Sequence, residues 1–202
     1  MQSQRNDIGW RFWHSWVLAT AIGWAVGIIT AFIVAHLVNI VYPKETNLVV
    51  GLCLGAVVGY MQKRFAHNPM TASGRWVLST SIGMGIPFVV VVIADELRGG
   101  TPAALSSPLL TVAVGGLITG LLQMRNMRRH SRISGWWILA SIVGWGLAWL
   151  VVDIGFGIGL LLAGALLGAV TGGAIVWLLR CPRSPEQVAV EAMSTGNSAS
   201  ST

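Results

Sequence analysis

Trp16-Val17-Leu18, followed by Gly23-Trp24, returns as Trp76-Val77-Leu78 with Gly83-Met84 and again as Trp137-Ile138-Leu139 with Gly144-Trp145, at offsets of 60 or 61 residues. A second pattern recurs in step with it, as Gly55-x-x-x-Gly59-x-x-Gln62, Gly116-x-x-x-Gly120-x-x-Gln123 and Gly168-x-x-x-Gly172-x-x-Ile175. A unit holding one helix of each kind, cast three times in tandem, limits the fold severely, because equivalent segments have equivalent faces to bury. The pattern predicts an all-α architecture of six helices in three hairpins, arranged with pseudo-threefold symmetry.

The helices belong in a membrane. Only 10% of the 202 residues are charged and 54% are hydrophobic, against about 25% charged in soluble domains. Apolar runs cover residues 16 to 38, 48 to 61, 77 to 94, 109 to 122, 136 to 152 and 158 to 179. Spanning ~30 Å of hydrocarbon takes about 17 to 25 helical residues. The two short runs, 48 to 61 and 109 to 122, are completed by flanking polar residues and by Lys and Arg heads that reach the interface. Helix 1 exceeds the apolar region of a cleaved signal and reads as an uncleaved anchor.

The net charge of +6 reports topology, not an affinity for nucleic acid. Eleven of the 13 Lys and Arg fall in one compartment: Arg5, Arg11, Lys63, Arg64, Arg75, Arg125, Arg128, Arg129, Arg132, Arg180 and Arg183. Lys44 and Arg98 lie on the other side, among Glu45, Asp95, Glu96 and Asp153. The positive-inside rule then puts both termini in the cytoplasm. The organisation expected is a cytoplasmic segment 1–12, a six-helix membrane domain 13–182 with repeats of about 13–72, 73–133 and 134–182, and a disordered cytoplasmic tail 183–202, which is rich in Ser, Thr, Ala, Gly and Asn. Cys53 and Cys181 fall at different depths, so no disulfide is expected.

Helix association in lipid rests on close backbone approach through small residues. Gly51, Gly55 and Gly59 in helix 2, Gly116 and Gly120 in helix 4, and Gly164, Gly168 and Gly172 in helix 6 form ladders at four-residue spacing on nearly one face. They predict that helices 2, 4 and 6 pack together about the axis, with 1, 3 and 5 flanking them. Pro87 frees the Gly83 carbonyl and should kink helix 3. Trp10, Trp13, Trp16, Trp76, Trp136 and Trp137 sit at cytoplasmic entries and read as interfacial anchors.

Candidate chemistry is sparse. Gln62 and Gln123 stand three residues after a packing glycine, on its face, and serve either interhelical hydrogen bonding or a polar pore mouth in which Thr119 and Thr171 are further lining residues. Ile175 breaks that ring in the third copy. Trp24, Trp145 and Trp149 lie deeper, as packing residues or, with His36, as the wall of a lipid, quinone or pigment pocket. His36, Glu96 and Asp153 end their helices on the outer side, without the spacing of a metal motif. No catalytic or phosphate-cradling pattern is present, and the helix centres hold none of the ionisable relays that pumps need. These residues specify no metal and no particular cofactor.

The Trp-[Val/Ile]-Leu and Gly followed by Gly-x-x-x-Gly-x-x-Gln, with trailing Arg64 or Arg125, resembles a loose group of uncharacterised bacterial multi-pass membrane proteins built from such tandem hairpins, over residues 10 to 180. The resemblance implies a bacterial cytoplasmic (inner) membrane location and transfers no activity. The function expected is that of a non-enzymatic scaffold or accessory subunit that packs against lipid, other membrane proteins or copies of itself. The alternatives are a passive channel for a small neutral solute along the repeat axis and a binder of lipid, quinone or pigment.

Overall fold

The computed structural model of the chain describes residues 2–39, 46–66, 71, 73–97, 108–128, 131–152, 154 and 156–181. It is all-helical among these residues, with α1 over Gln2–Asn39, α2 over Thr46–Ala66, α3 over Gly74–Leu97, α4 over Pro108–Met127, α5 over Trp136–Val152 and α6 over Phe156–Leu179. Three stretches are long and apolar enough to cross a membrane: Gly9–Val38, Leu48–Phe65 and Gly157–Leu179. Trp136–Val152 is a shorter apolar helix. Residues 2–12, expected as a separate segment, are continuous with α1. Lys44, Glu45, His67, Arg98, Arg129, His130, Asp153 and the tail 183–202 lie outside the described residues, as does the side chain of Glu96.

Each helix packs on its neighbours in the chain, and α1 closes on α6, so that the six form a ring. Contrary to expectation, α2, α4 and α6 do not meet one another among the described residues. Their glycines face the next helix in the ring. A methyl group built on Gly55 would stand 2.6 Å from Ser81 Cα and 2.6 Å from the Thr80 carbonyl oxygen of α3; on Gly59 it would stand 2.9 Å from Val77 Cα. On Gly116 and Gly120 of α4 it would meet Ile142 Cα at 3.0 Å and Ile138 Cα at 2.9 Å in α5. On Gly164, Gly168 and Gly172 of α6 it would meet Trp24 Cβ at 2.7 Å, Val17 Cα at 3.0 Å and Trp16 Cδ1 at 2.8 Å in α1. On Gly51 it would stand 2.6 Å from the Met84 carbonyl oxygen of α3.

Other glycines bring together the remaining pairs. Gly23 of α1 lies on Val58 of α2, Gly83 of α3 on Thr119 of α4, and Gly144 of α5 on Leu167 of α6. Small residues therefore occur at every seam of the ring, where they let backbones approach and gain dispersion contacts in a medium that offers little hydrophobic drive. Pro87 is accommodated inside α3, where its ring packs against Gly115 of α4, which also faces the Gly83 carbonyl oxygen.

Large apolar side chains cover much of the outer surface as well as filling the core. Leu18, Leu78 and Leu139, at matching places after their tryptophans, are 60%, 60% and 50% exposed, and Ile29, Phe32, Leu150 and Ile158 are also exposed. The buried polar side chains described are Thr, Ser and Gln. An apolar outer surface of this extent, over an interior that takes in hydroxyls and amides, is what a hydrocarbon solvent favours and water does not.

Candidate functional site

The centre of the ring holds three indoles. Trp16, Trp76 and Trp137 are 0%, 0% and 1% exposed. Trp76 lies with its ring centroid 5.7 Å from that of Trp16 and 5.9 Å from that of Trp137. Met124, Met127, Ile175 and Leu178 complete this cluster. The expected role of these three tryptophans as interfacial anchors is therefore corrected, whereas Trp10 and Trp136, 62% and 55% exposed, keep the outward placement that an anchor needs. Half-buried Trp13 donates its indole N–H to the Ala169 carbonyl at 3.0 Å.

A buried indole must find an acceptor for its N–H. Trp76 Nε1 donates to Gln62 Oε1 at 2.9 Å, and Gln62 Nε2 donates to Thr20 Oγ1 at 3.2 Å. The Thr20 hydroxyl then donates to the Trp16 carbonyl at 2.8 Å. Trp137 Nε1 donates to Gln123 Oε1 at 3.0 Å, Gln123 Nε2 to Thr80 Oγ1 at 2.9 Å, and the Thr80 hydroxyl to the Trp76 carbonyl at 2.9 Å. Each relay joins three consecutive helices, α3 to α2 to α1 and α5 to α4 to α3. Where Ile175 stands in place of a glutamine, Trp16 Nε1 donates instead to Thr171 Oγ1 at 3.0 Å, one turn away on α6, and that hydroxyl donates to the Leu167 carbonyl at 2.6 Å.

One helical turn along from the indoles, hydroxyls follow: Thr20, Thr80 and Ser141 on α1, α3 and α5, with Thr119 and Thr171 on α4 and α6. A turn further come Trp24, Met84 and Trp145, packed with Val58, Ala148, Ala163 and Leu167. Between these layers lies a cavity of about 20 Å³ whose lining includes Gln62, Gln123, Thr119, Thr171, Ser141 and Trp145. Trp24 packs against Trp145 with ring centroids 5.9 Å apart.

The structure thus gathers Gln62, Gln123, Thr119, Thr171 and Trp145 around one point, with Trp24 alongside. It does not bring Trp149 or His36 to it: Trp149 is half-buried and His36 is exposed near the end of α1. The Gln side chains do not face open space, since each amide spans an indole and a threonine. Two buried polar atoms of the interior, Trp24 Nε1 and Thr119 Oγ1, have no hydrogen-bond partner among the described residues. No described residue with a buried side chain is ionisable, and Cys53 and Cys181 are both free.

Thr20, Thr80 and the central tryptophans are functional positions that composition and hydropathy do not single out. A signal was available: both Trp and Gln partners are separated by 14 residues, Gln62 from Trp76 and Gln123 from Trp137. An interfacial anchor has no reason to keep that register, and a hydrogen-bonded pair does. A scan against protein-family models finds no match, and neither a search of curated proteins nor one of solved structures returns a similar chain.

Proposed function

We propose that this chain is a non-enzymatic polytopic protein of the bacterial cytoplasmic membrane, a scaffold or accessory subunit that works through its outer surface. Its six helices span the bilayer as three tandem hairpin repeats with pseudo-threefold symmetry, both termini on the cytoplasmic side. The observation that carries this reading is the filled axis. Three indoles, all but fully buried and with Trp76 packed against both Trp16 and Trp137, occupy the centre, their N–H groups are donated, and the cavity beside them is about 20 Å³. Pockets for drug-sized ligands run to about 300–1,000 Å³, so this centre has no room for a quinone or pigment. A side chain buried and hydrogen-bonded on the axis supplies cohesion, and what is left for recognition is the exposed apolar belt.

The basic end offers lipid contact as well. An open groove of about 480 Å³ is lined by Arg132, Ile133, Gly135, Trp136 and Leu139. An arginine beside an exposed indole and an exposed leucine matches the headgroup and upper acyl region of a phospholipid.

Reconstitution tests the reading against the passive-channel alternative. Purified protein in liposomes is expected to leave the swelling response to water, glycerol and urea at the rate of empty liposomes. Robust flux from the protein alone would overturn the scaffold and put a facilitator in its place, with the indole layer as its gate.

Orientation has its own test. In a background lacking Cys53 and Cys181, a cysteine replacing Arg128, exposed at the end of α4, should be shielded from an impermeant thiol reagent in intact cells. A cysteine replacing Ile154, exposed between α5 and α6, should react. The reverse pattern would invert the topology.

A further inference from the structure

We infer that the axial cavity is a binding site for a single water molecule, held by the Thr119 hydroxyl and shared with Thr171 and Ser141. Two independent observations meet here. The first is size: the cavity is about 20 Å³, enough to admit a water, for which roughly 10–15 Å³ suffices. The second is an unsatisfied group at its wall. Thr119 is a residue of the cavity lining and 4% exposed, and its Oγ1 has no partner among the described residues.

Thr119 differs from the other helical threonines in a way that sharpens the point. Thr20, Thr30, Thr80 and Thr171 each donate their hydroxyl to the carbonyl four residues earlier, the usual refuge of a threonine in a helix. Thr119 does not take it, and its Oγ1 is turned against Gly83 of α3, where no side chain stands in the way. A hydroxyl left unpaired in an apolar setting is costly, whereas one water can both donate to it and accept from it.

The remaining partners are at hand. The Thr171 oxygen accepts one bond from Trp16 and donates one to Leu167, which leaves a lone pair. Ser141 is buried on the same lining. Water needs 2–4 polar partners to stay in such a site, and three hydroxyls from α4, α5 and α6 supply them. The electrically neutral lining also selects the occupant, because no described ionisable group lines the cavity to offset the desolvation of an ion. The site couples α4 to α5 and α6 where Ile175 interrupts the side-chain relay.

Oxygen-17 magnetic relaxation dispersion on the detergent-solubilised protein counts long-lived internal waters and tests the site directly. Thr119→Val keeps the shape and removes the hydroxyl. Its count is expected to be one lower than the parent's and its Tm lower too, while Thr119→Ser should keep the parent's count. Val58→Ile adds a methylene to the cavity wall and should also lose one water and lower Tm. Equal counts in the parent and Thr119→Val would overturn the site. So would a rise in Tm for Val58→Ile, the response of a dry void being filled. If Thr119→Val fails to fold, the count of Val58→Ile against the parent decides.

Discussion

Gly55→Leu should prevent assembly of a stable helix ring, and Gly55→Ala alone should destabilise it by about 1–3 kcal/mol, the range for overpacking a close contact. The reason is what the added carbon would meet. At Gly55 both nearest atoms, Ser81 Cα and the Thr80 carbonyl oxygen at 2.6 Å, belong to backbone, so no rotamer change relieves the clash and α2 and α3 must separate. Gly146 of α5 provides the opposite case. A methyl there meets nothing within 4 Å, and Gly146→Ala is expected to stabilise the helix by up to about 1 kcal/mol through propensity alone. Thermal unfolding in mild detergent, followed by tryptophan fluorescence, compares the two. Similar melting of both alanine variants would remove the glycine faces as the basis of packing.

The contrast between these glycines marks how far the sequence could be read. That long apolar runs make helices is what lipid demands of a spanning segment, since it leaves a backbone no partner but its own. That glycines at four-residue spacing mark close approach was equally legible. Which helix each ladder approaches was not, since a small-residue face states that a backbone comes near without saying whose. The ring topology sends Gly51, Gly55 and Gly59 to α3, Gly116 and Gly120 to α5, and Gly164, Gly168 and Gly172 to α1. The first two sets thus meet the next helix in the chain, in keeping with the general adjacency of consecutive elements. An indole at a membrane entry is equally suited to a headgroup and to a buried amide, so Trp16 and Trp136 look alike until their partners are known. His36, by contrast, suits a solvated helix end or a pocket wall by its sequence position, and the structure leaves it exposed.

The relays at the centre give the second large effect. Gln62→Leu strands the buried Trp76 N–H and deprives Thr20 of its donor. An orphaned buried donor costs about 1–3 kcal/mol, moderated in membranes, where interhelical hydrogen bonds average about 0.6 kcal/mol. A loss near 1–2 kcal/mol is therefore expected for Gln62→Leu and for Gln123→Leu alike. Trp76→Phe should cost less in the Gln62→Leu background than in the parent, the signature of direct coupling between partners.

The third hairpin tests whether the three are variations on one unit. There Trp16 depends on Thr171 because position 175 holds Ile, and Thr171→Val should strand the Trp16 N–H at a comparable cost. If the hairpins are equivalent, a glutamine at 175 sits where Gln62 and Gln123 sit, able to accept from Trp16 and to donate to Ser141, the counterpart of Thr20 and Thr80. Ile175→Gln is thus expected to recover at least half of the stability lost in Thr171→Val. In the parent it should bring no gain, because the Trp16 N–H is already donated and the new amide displaces a fully buried apolar side chain. Rescue in one background and none in the other would tie the repeat to a shared hydrogen-bonding geometry. No rescue would mean that the third hairpin holds α1 by packing of a different register, and the threefold description would fall with it.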